Sequence, residues 1–201
     1  MKTPSAGLRM GFFLVLFWSC QNTIGDATEA LPVLGQASVE LPNLSSLVTQ
    51  TGAFYRKSAQ KKIQVVDFFF TGCPTICPKM TSHLVAVQDH FQGNGQVEIL
   101  SFSIDGTNDT PEVLSRYAKN YNIKENQWKL LTGNPEGIFA ISKGYKVMAY
   151  NDEFAGERNL VHDGTFVLVD HNQQIRGYYN GLDDADTQRL ITDIEKLLKT
   201  L

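Results

Sequence analysis

Only three cysteines occur in 201 residues, too few for the dense disulfide framework that staples small exported domains. No basic stripe is present, and the formal net charge is −3, so a nucleic-acid surface is not expected. There is no internal repeat and no low-complexity tract, which sets aside solenoids and disordered arrays. The most apolar run, Met10 to Trp18, is too short for a spanning helix. What remains, at 42% apolar residues, is enough chain for one domain with a real core.

The first twenty residues read as an export signal. Lys2 and Arg9 form a positive region ahead of the short apolar run, and Phe17-Trp18-Ser19-Cys20 follows. This resembles a bacterial lipoprotein signal, in which the cysteine becomes the lipidated N-terminus. The expected organisation is a signal over 1–20, a tether over 21–41 and a folded domain over 42–201. Localisation is then the periplasmic side of the cell envelope, membrane-tethered through Cys20. An ordinary signal peptide or a short uncleaved anchor are the alternatives. Lipidation of Cys20 would leave two cysteines for the domain, Cys73 and Cys77.

Those two lie in the most informative stretch, Val65 to Met80. Ile63 to Phe70 is apolar except for Gln64 and Asp67, which suits a central strand covered on both faces. Thr71-Gly72 breaks the run. Pro74 and Pro78 fit only near a helix start, where backbone donors are not needed. Both cysteines are therefore expected at or just inside a helix N-terminus. Residues four apart share a helix face, with Cα atoms about 6 Å apart, within reach of a disulfide. Unpaired N–H groups, the helix dipole and nearby Lys79 favour thiolate. Such a pair can exchange disulfides or hold a soft metal such as Cu(I).

Downstream, a helix should run from Cys77 to about Phe91 and a strand from Val97 to Ile104. Thr110-Pro111-Glu112 and Asn134-Pro135-Glu136 both read as an N-cap, a first-position proline and a first-turn acid. They predict helices to about Asn120 and Lys143, with a short strand at Trp128 to Leu131 between them. Asn151 to Arg158 reads as a surface hairpin or loop. Thr165 to Val169 and Gln174 to Tyr179 are strands, and a leucine and isoleucine stripe from Leu190 to Leu201 closes the chain as a helix. The fold class is α/β, with a mixed central sheet and helices on both faces. A cysteine pair after the central strand makes a thioredoxin-like architecture the natural one. In that architecture the loop entering the late hairpin strand faces the cysteine helix. Here it carries no proline, and His162 occupies the approach.

Phe69 through Pro78, Ser103-Ile104-Asp105 through Asp109-Thr110-Pro111-Glu112-Val113-Leu114, Trp128 through Gly133, and Val161-His162 together resemble the SCO/SenC family. These are thioredoxin-like copper proteins that assist assembly of the binuclear copper site of cytochrome c oxidase. The resemblance implies metal ligands at Cys73, Cys77 and His162. Two thiolates hold Cu(I), and the imidazole lets Cu(II) be accommodated. It also implies a partner: the copper-site subunit of the oxidase, or another exported copper protein. The family's usual transmembrane anchor is replaced by the expected lipid anchor.

Plainer readings stand beside these. The pair could be an inert disulfide, and His162 a loop histidine bonded to backbone. Met80 shares the cysteine face, but core packing suits it better. His83, His90 and His171 are expected at the surface. Asp105 could stand behind the metal site or cap its own turn, and Asp109 is expected to help cap the next helix. Phe69 and Phe70 are core, with one ring available to shield the site. The main functional rival is a thiol–disulfide oxidoreductase using Cys73 and Cys77 as its catalytic redox pair, recharged by a thiol reductant. A redox or copper sensor is the third reading.

Overall fold

The computed structural model describes residues 30–35, 38–39, 41–42, 44–154 and 157–201. The signal segment, Cys20 and most of the tether lie outside the described residues. A 3-10 turn, Leu44–Ser46, leads into β1 (Val48–Thr49), β2 (Ile63–Phe69), α1 (Ile76–His90), β3 (Val97–Ser103) and α2 (Pro111–Asn120). Next come β4 (Trp128–Thr132), α3 (Pro135–Gly144), and a hairpin of β5 (Ala149–Phe154) and β6 (Glu157–His162). Strands β7 (Thr165–Val169) and β8 (Ile175–Asn180) precede α4 (Asp184–Leu198).

Six strands form one sheet in the order β1-β4-β3-β2-β7-β8, and β5-β6 form a separate ribbon. β2 runs parallel to β3, and β3 to β4, while β1, β7 and β8 pair antiparallel. β2 is central, and all seven of its residues are buried. That is why its sequence is a nearly unbroken apolar run rather than an alternation. Ile63, Val65 and Phe69 pack beneath α1, α2 and α4 with Met80, Leu84, Leu114 and Ile194. Val66 and Phe68 face the other way, against α3 residues Ile138 and Ile141. Helices thus cover both faces, as the thioredoxin-like expectation required.

The capping grammar was read correctly. Thr110 accepts from Val113 N–H and Asn134 from Glu136 N–H, each just ahead of a proline. Of the two readings of 151–158, the hairpin holds: β5 and β6 pair antiparallel from Phe154 opposite Glu157 back to Ala149 opposite His162. No described helix is long and apolar enough to cross a membrane.

The N-terminal segment is laid against the domain. Leu34 N–H donates to Ile175 O and Val39 N–H to Gln173 O, both at 2.7 Å. The Arg176 guanidinium holds the carbonyls of Leu31 and Pro32 while pairing with Asp170 at 2.8 Å. Gln64, near the start of β2, is in register with Val169. The segment therefore joins at the end of the sheet where β2 begins, opposite the end where the cysteines follow it.

Candidate metal and redox centre

The cysteine turn departs from the sequence expectation. α1 begins at Ile76, so Cys77 lies inside its first turn while Cys73 precedes the helix. Cys73 is followed by Pro74, whose ring disfavours helical backbone at the preceding residue. Pro78 is tolerated because a first-turn N–H has no helical acceptor. The two thiols are therefore not equivalent neighbours on one helix face. Cys73 sits in a turn closed by its own N–H to Phe70 O at 3.2 Å. Cys77 is rooted in the helix and is 1% exposed, against 8% for Cys73. Both are free thiols.

His162, at the end of β6, comes to them from the far side. Its Nε2 lies 3.2 Å from Cys77 Sγ. The ligand atoms of Cys73, Cys77 and His162 all fall within 4.8 Å of one another. The Phe70 ring meets the imidazole edge-on, with centroids 6.1 Å apart at 83°. Asp163 holds the ribbon's base. Its carboxylate accepts from Met148 N–H and Thr165 N–H, both at 3.0 Å, and its N–H donates to Met148 O at 3.2 Å.

Electrostatics divide the pair. Burial pushes the Cys73 thiol up, but the backbone N–H groups of Cys77 and Thr75, with the side chains of the same residues, outweigh it, and the thiol falls below its ordinary value. Burial pushes Cys77 strongly up, and the neighbouring Cys73 and Asp67 add to the rise against a lowering contribution from the Phe70 backbone. Burial also lowers His162, more than Asp163 raises it. A neutral imidazole is the form that can donate a lone pair to a metal. Among the described residues its buried Nδ1 has no hydrogen-bond partner, and Nε2 is the nitrogen that faces Cys77 Sγ. One imidazole and two sulfurs form a donor set for a soft or borderline ion, copper above all.

The other sequence candidates separate. Met80 is buried in the core. Asp105 accepts from Asn108 Nδ2 at 2.9 Å within its own loop, the turn-capping alternative. Thr110 rather than Asp109 caps α2. Asp109 instead accepts from Thr71, in the cysteine turn. His83 is not a solvated residue, contrary to expectation. Its Nδ1 donates to Gly181 O at 2.9 Å, its Nε2 lies 3.0 Å from Asp184, and its side chain is 11% exposed. It ties α1 to the turn before α4. His90 is partly exposed and pairs with Glu195 at 2.8 Å. Sequence reasoning missed the Asp109–Thr71 contact and the role of Asp163. A Thr two residues ahead of Cys73 and an Asp beside His162 were the only signals.

A thioredoxin-like sheet with a Cys-Cys-His cluster at the end of its central strand defines a class of thiol-bearing metal proteins. A model of the SCO1/SenC family matches residues 43–199, and the chain belongs to that family. The SCO1 protein homolog of Bacillus subtilis (strain 168) is 34% identical over 143 residues, covering 69% of this chain and 72% of the relative. Among solved structures, BsSco superposes with a TM-score of 0.71 at 28% identity, covering 85% of this chain and 98% of that one. It is described as having a disulfide switch and as a member of the Sco family of cytochrome c oxidase assembly proteins. Arabidopsis thaliana ScoI with copper bound gives a TM-score of 0.61 at 25% identity, over 75% of this chain and 96% of that one.

Proposed function

We propose that this protein is a copper carrier. It holds one copper ion between Cys73, Cys77 and His162 and delivers it to the copper-site subunit of cytochrome c oxidase or another exported copper protein. The observation that carries the reading is the approach of His162 Nε2 to Cys77 Sγ at 3.2 Å, with Cys73 Sγ in the same cluster. Family membership and the copper-bound plant relative support it. Copper is cargo here. Both thiols lose their protons on binding, and a partner's thiolates displace Cys73 and Cys77 stepwise. A disulfide oxidant that takes two electrons and two protons from the free thiols would leave a Cys73–Cys77 disulfide, itself becoming two thiols, and no thiolate ligands would remain.

We propose further that the protein lies on the periplasmic side of the cell envelope, tethered to a membrane through a lipid on Cys20.

Copper titration of the reduced full-length chain, followed by sulfur-to-copper charge transfer, tests the ligand set. His162→Ala is expected to weaken binding by about tenfold or more and to change the band. Unchanged binding and an unchanged band would remove His162 from the site.

A second reading is favoured by one observation, the opposite displacement of the two thiols. As a disulfide reductase, Cys73 thiolate would attack a target disulfide and expel one target thiolate. Cys77, on losing its proton, would resolve the mixed disulfide, leaving two target thiols and an oxidised Cys73–Cys77 pair. A thiol reductant would restore it. Rapid reduction of a test disulfide, with copper binding unaffected by His162→Ala, would favour this reading.

A further inference from the structure

The β3–α2 loop, Asp105 to Asp109, is seated from several sides. A Cβ added at Gly106 would stand 1.9 Å from Gly133 O. Asp109 N–H donates to Asp105 O at 2.8 Å, and Asp105 N–H to Ser103 Oγ at 3.2 Å. From this base the Asp109 side chain reaches another element altogether. Its Oδ2 accepts from Thr71 N–H at 3.0 Å and from the Ser103 hydroxyl at 2.5 Å, and its Oδ1 accepts from the Thr71 hydroxyl at 2.5 Å. Asp109 is 1% exposed. A carboxylate so enclosed is costly unless donors surround it, and here three do. Helix capping does not account for it, because Thr110 caps α2.

The turn it grips is closed by Cys73 N–H to Phe70 O and by burial of Cys73, and Asp109 adds a hold from a separate element. Cys73 lies ahead of α1 and gains no helical restraint. A Cβ at Gly72 would meet the Phe70 ring at 3.9 Å, so the backbone at Gly72 is not wedged against a neighbour. The same turn carries Phe70, which meets the His162 ring. Freeing Thr71 would loosen one ligand and the wall beside another.

We propose that Asp109 is a positioning residue for the sulfur site: through Thr71 it fixes the turn that sets Cys73 Sγ against Cys77 and His162. This rests on the metal-site reading for its purpose, but its effect on Cys73 is measurable without metal.

The test compares the full-length chain in detergent with Asp109→Ala, Asp109→Asn, Thr71→Val and Thr71→Ser. Asparagine can accept from Thr71 N–H through its oxygen and donate to the Thr71 hydroxyl through its amide, so Asp109→Asn is the conservative variant. Three signals are read on folded protein: Cu(II) affinity, the sulfur-to-copper charge-transfer band, and the rate of Cys73 alkylation by iodoacetamide without metal. Asp109→Ala is expected to lower Cu(II) affinity by about 10- to 100-fold, to shift the band, and to change the alkylation rate several-fold. Thr71→Val should move the same signals less, because its N–H bond survives. Asp109→Asn and Thr71→Ser should stay within about twofold of wild type, since both keep the bonds.

A merely structural role would lower the melting temperature of Asp109→Ala yet leave all three signals of the folded protein unchanged. That result overturns the proposal. If Asp109→Ala does not fold, Thr71→Val decides by the same criteria. Should wild type itself bind no copper, the ligand reading fails on its own, and the alkylation rates still decide for or against the clamp.

Discussion

Cys73 and Cys77 carry the same functional group in different surroundings. Four N–H and side-chain contacts around Cys73 favour its thiolate, whereas burial holds Cys77 as thiol. Limiting iodoacetamide at pH 7 is therefore expected to modify Cys73 first, as read by peptide mass spectrometry; preferential labelling of Cys77 would contradict the assignment. Asp67 is the other residue in an unusual setting. It lies in β2 in step with Val65 and Phe69, beneath α1, and accepts from the Ser101 hydroxyl, which in turn accepts from Trp128 Nε1–H at 2.8 Å. Burial raises its carboxyl to about 7, against a smaller lowering by Ser101. Because the folded state prefers the protonated acid, the stability this gives is fully present below about pH 4 and is lost as pH climbs through about 7. The loss is on the order of a few kcal/mol. Asp67→Asn should flatten the fall in urea-unfolding stability between pH 5 and pH 8. An equally steep fall in the variant would exclude Asp67 as its source.

At the scale of elements, sequence patterns carried most of the reading. β2 was visible because burial on both faces demands an unbroken apolar run. α2 and α3 were visible because capping side chain, proline and first-turn acid are local requirements met within four residues. The start of α1 is legible to within a residue, but the side of it on which Cys73 falls is not, because two prolines mark a helix start without fixing where the first cysteine stands. The β5–β6 ribbon was half visible, since its polar tip reads equally well as a loop. The β3–α2 loop also makes a contact no local pattern announces, against Gly133. Gly106→Ala is expected to cost about 1–3 kcal/mol in denaturant unfolding, because the nearest obstacle is a backbone carbonyl that cannot rotate aside. Full retention of stability would mean that the loop can shift away freely. His83 shows the same blindness. A histidine in the middle of α1 looks solvated until α4 and its preceding turn are packed beside it.

For the whole molecule, the sheet separates two ends. The cysteine turn and His162 occupy one, and the incoming segment held by Ile175 and Arg176 occupies the other. If Cys20 carries the lipid, Cys20→Ala should leave copper affinity unchanged and move the protein out of the membrane fraction. Persistent membrane retention would refute the lipid anchor. The amino-acid sequence by itself determined most of the strand and helix succession and the close-spaced thiol pair, because those depend on spacings within a turn or a strand; His162 entered as a donor only through the family resemblance. Only the tertiary structure decided that His162 meets Cys77 across 85 positions and that Asp109 grips Thr71 across 38. Such meetings depend on strand order, register and the packing of helices on the sheet, which no short window of residues contains.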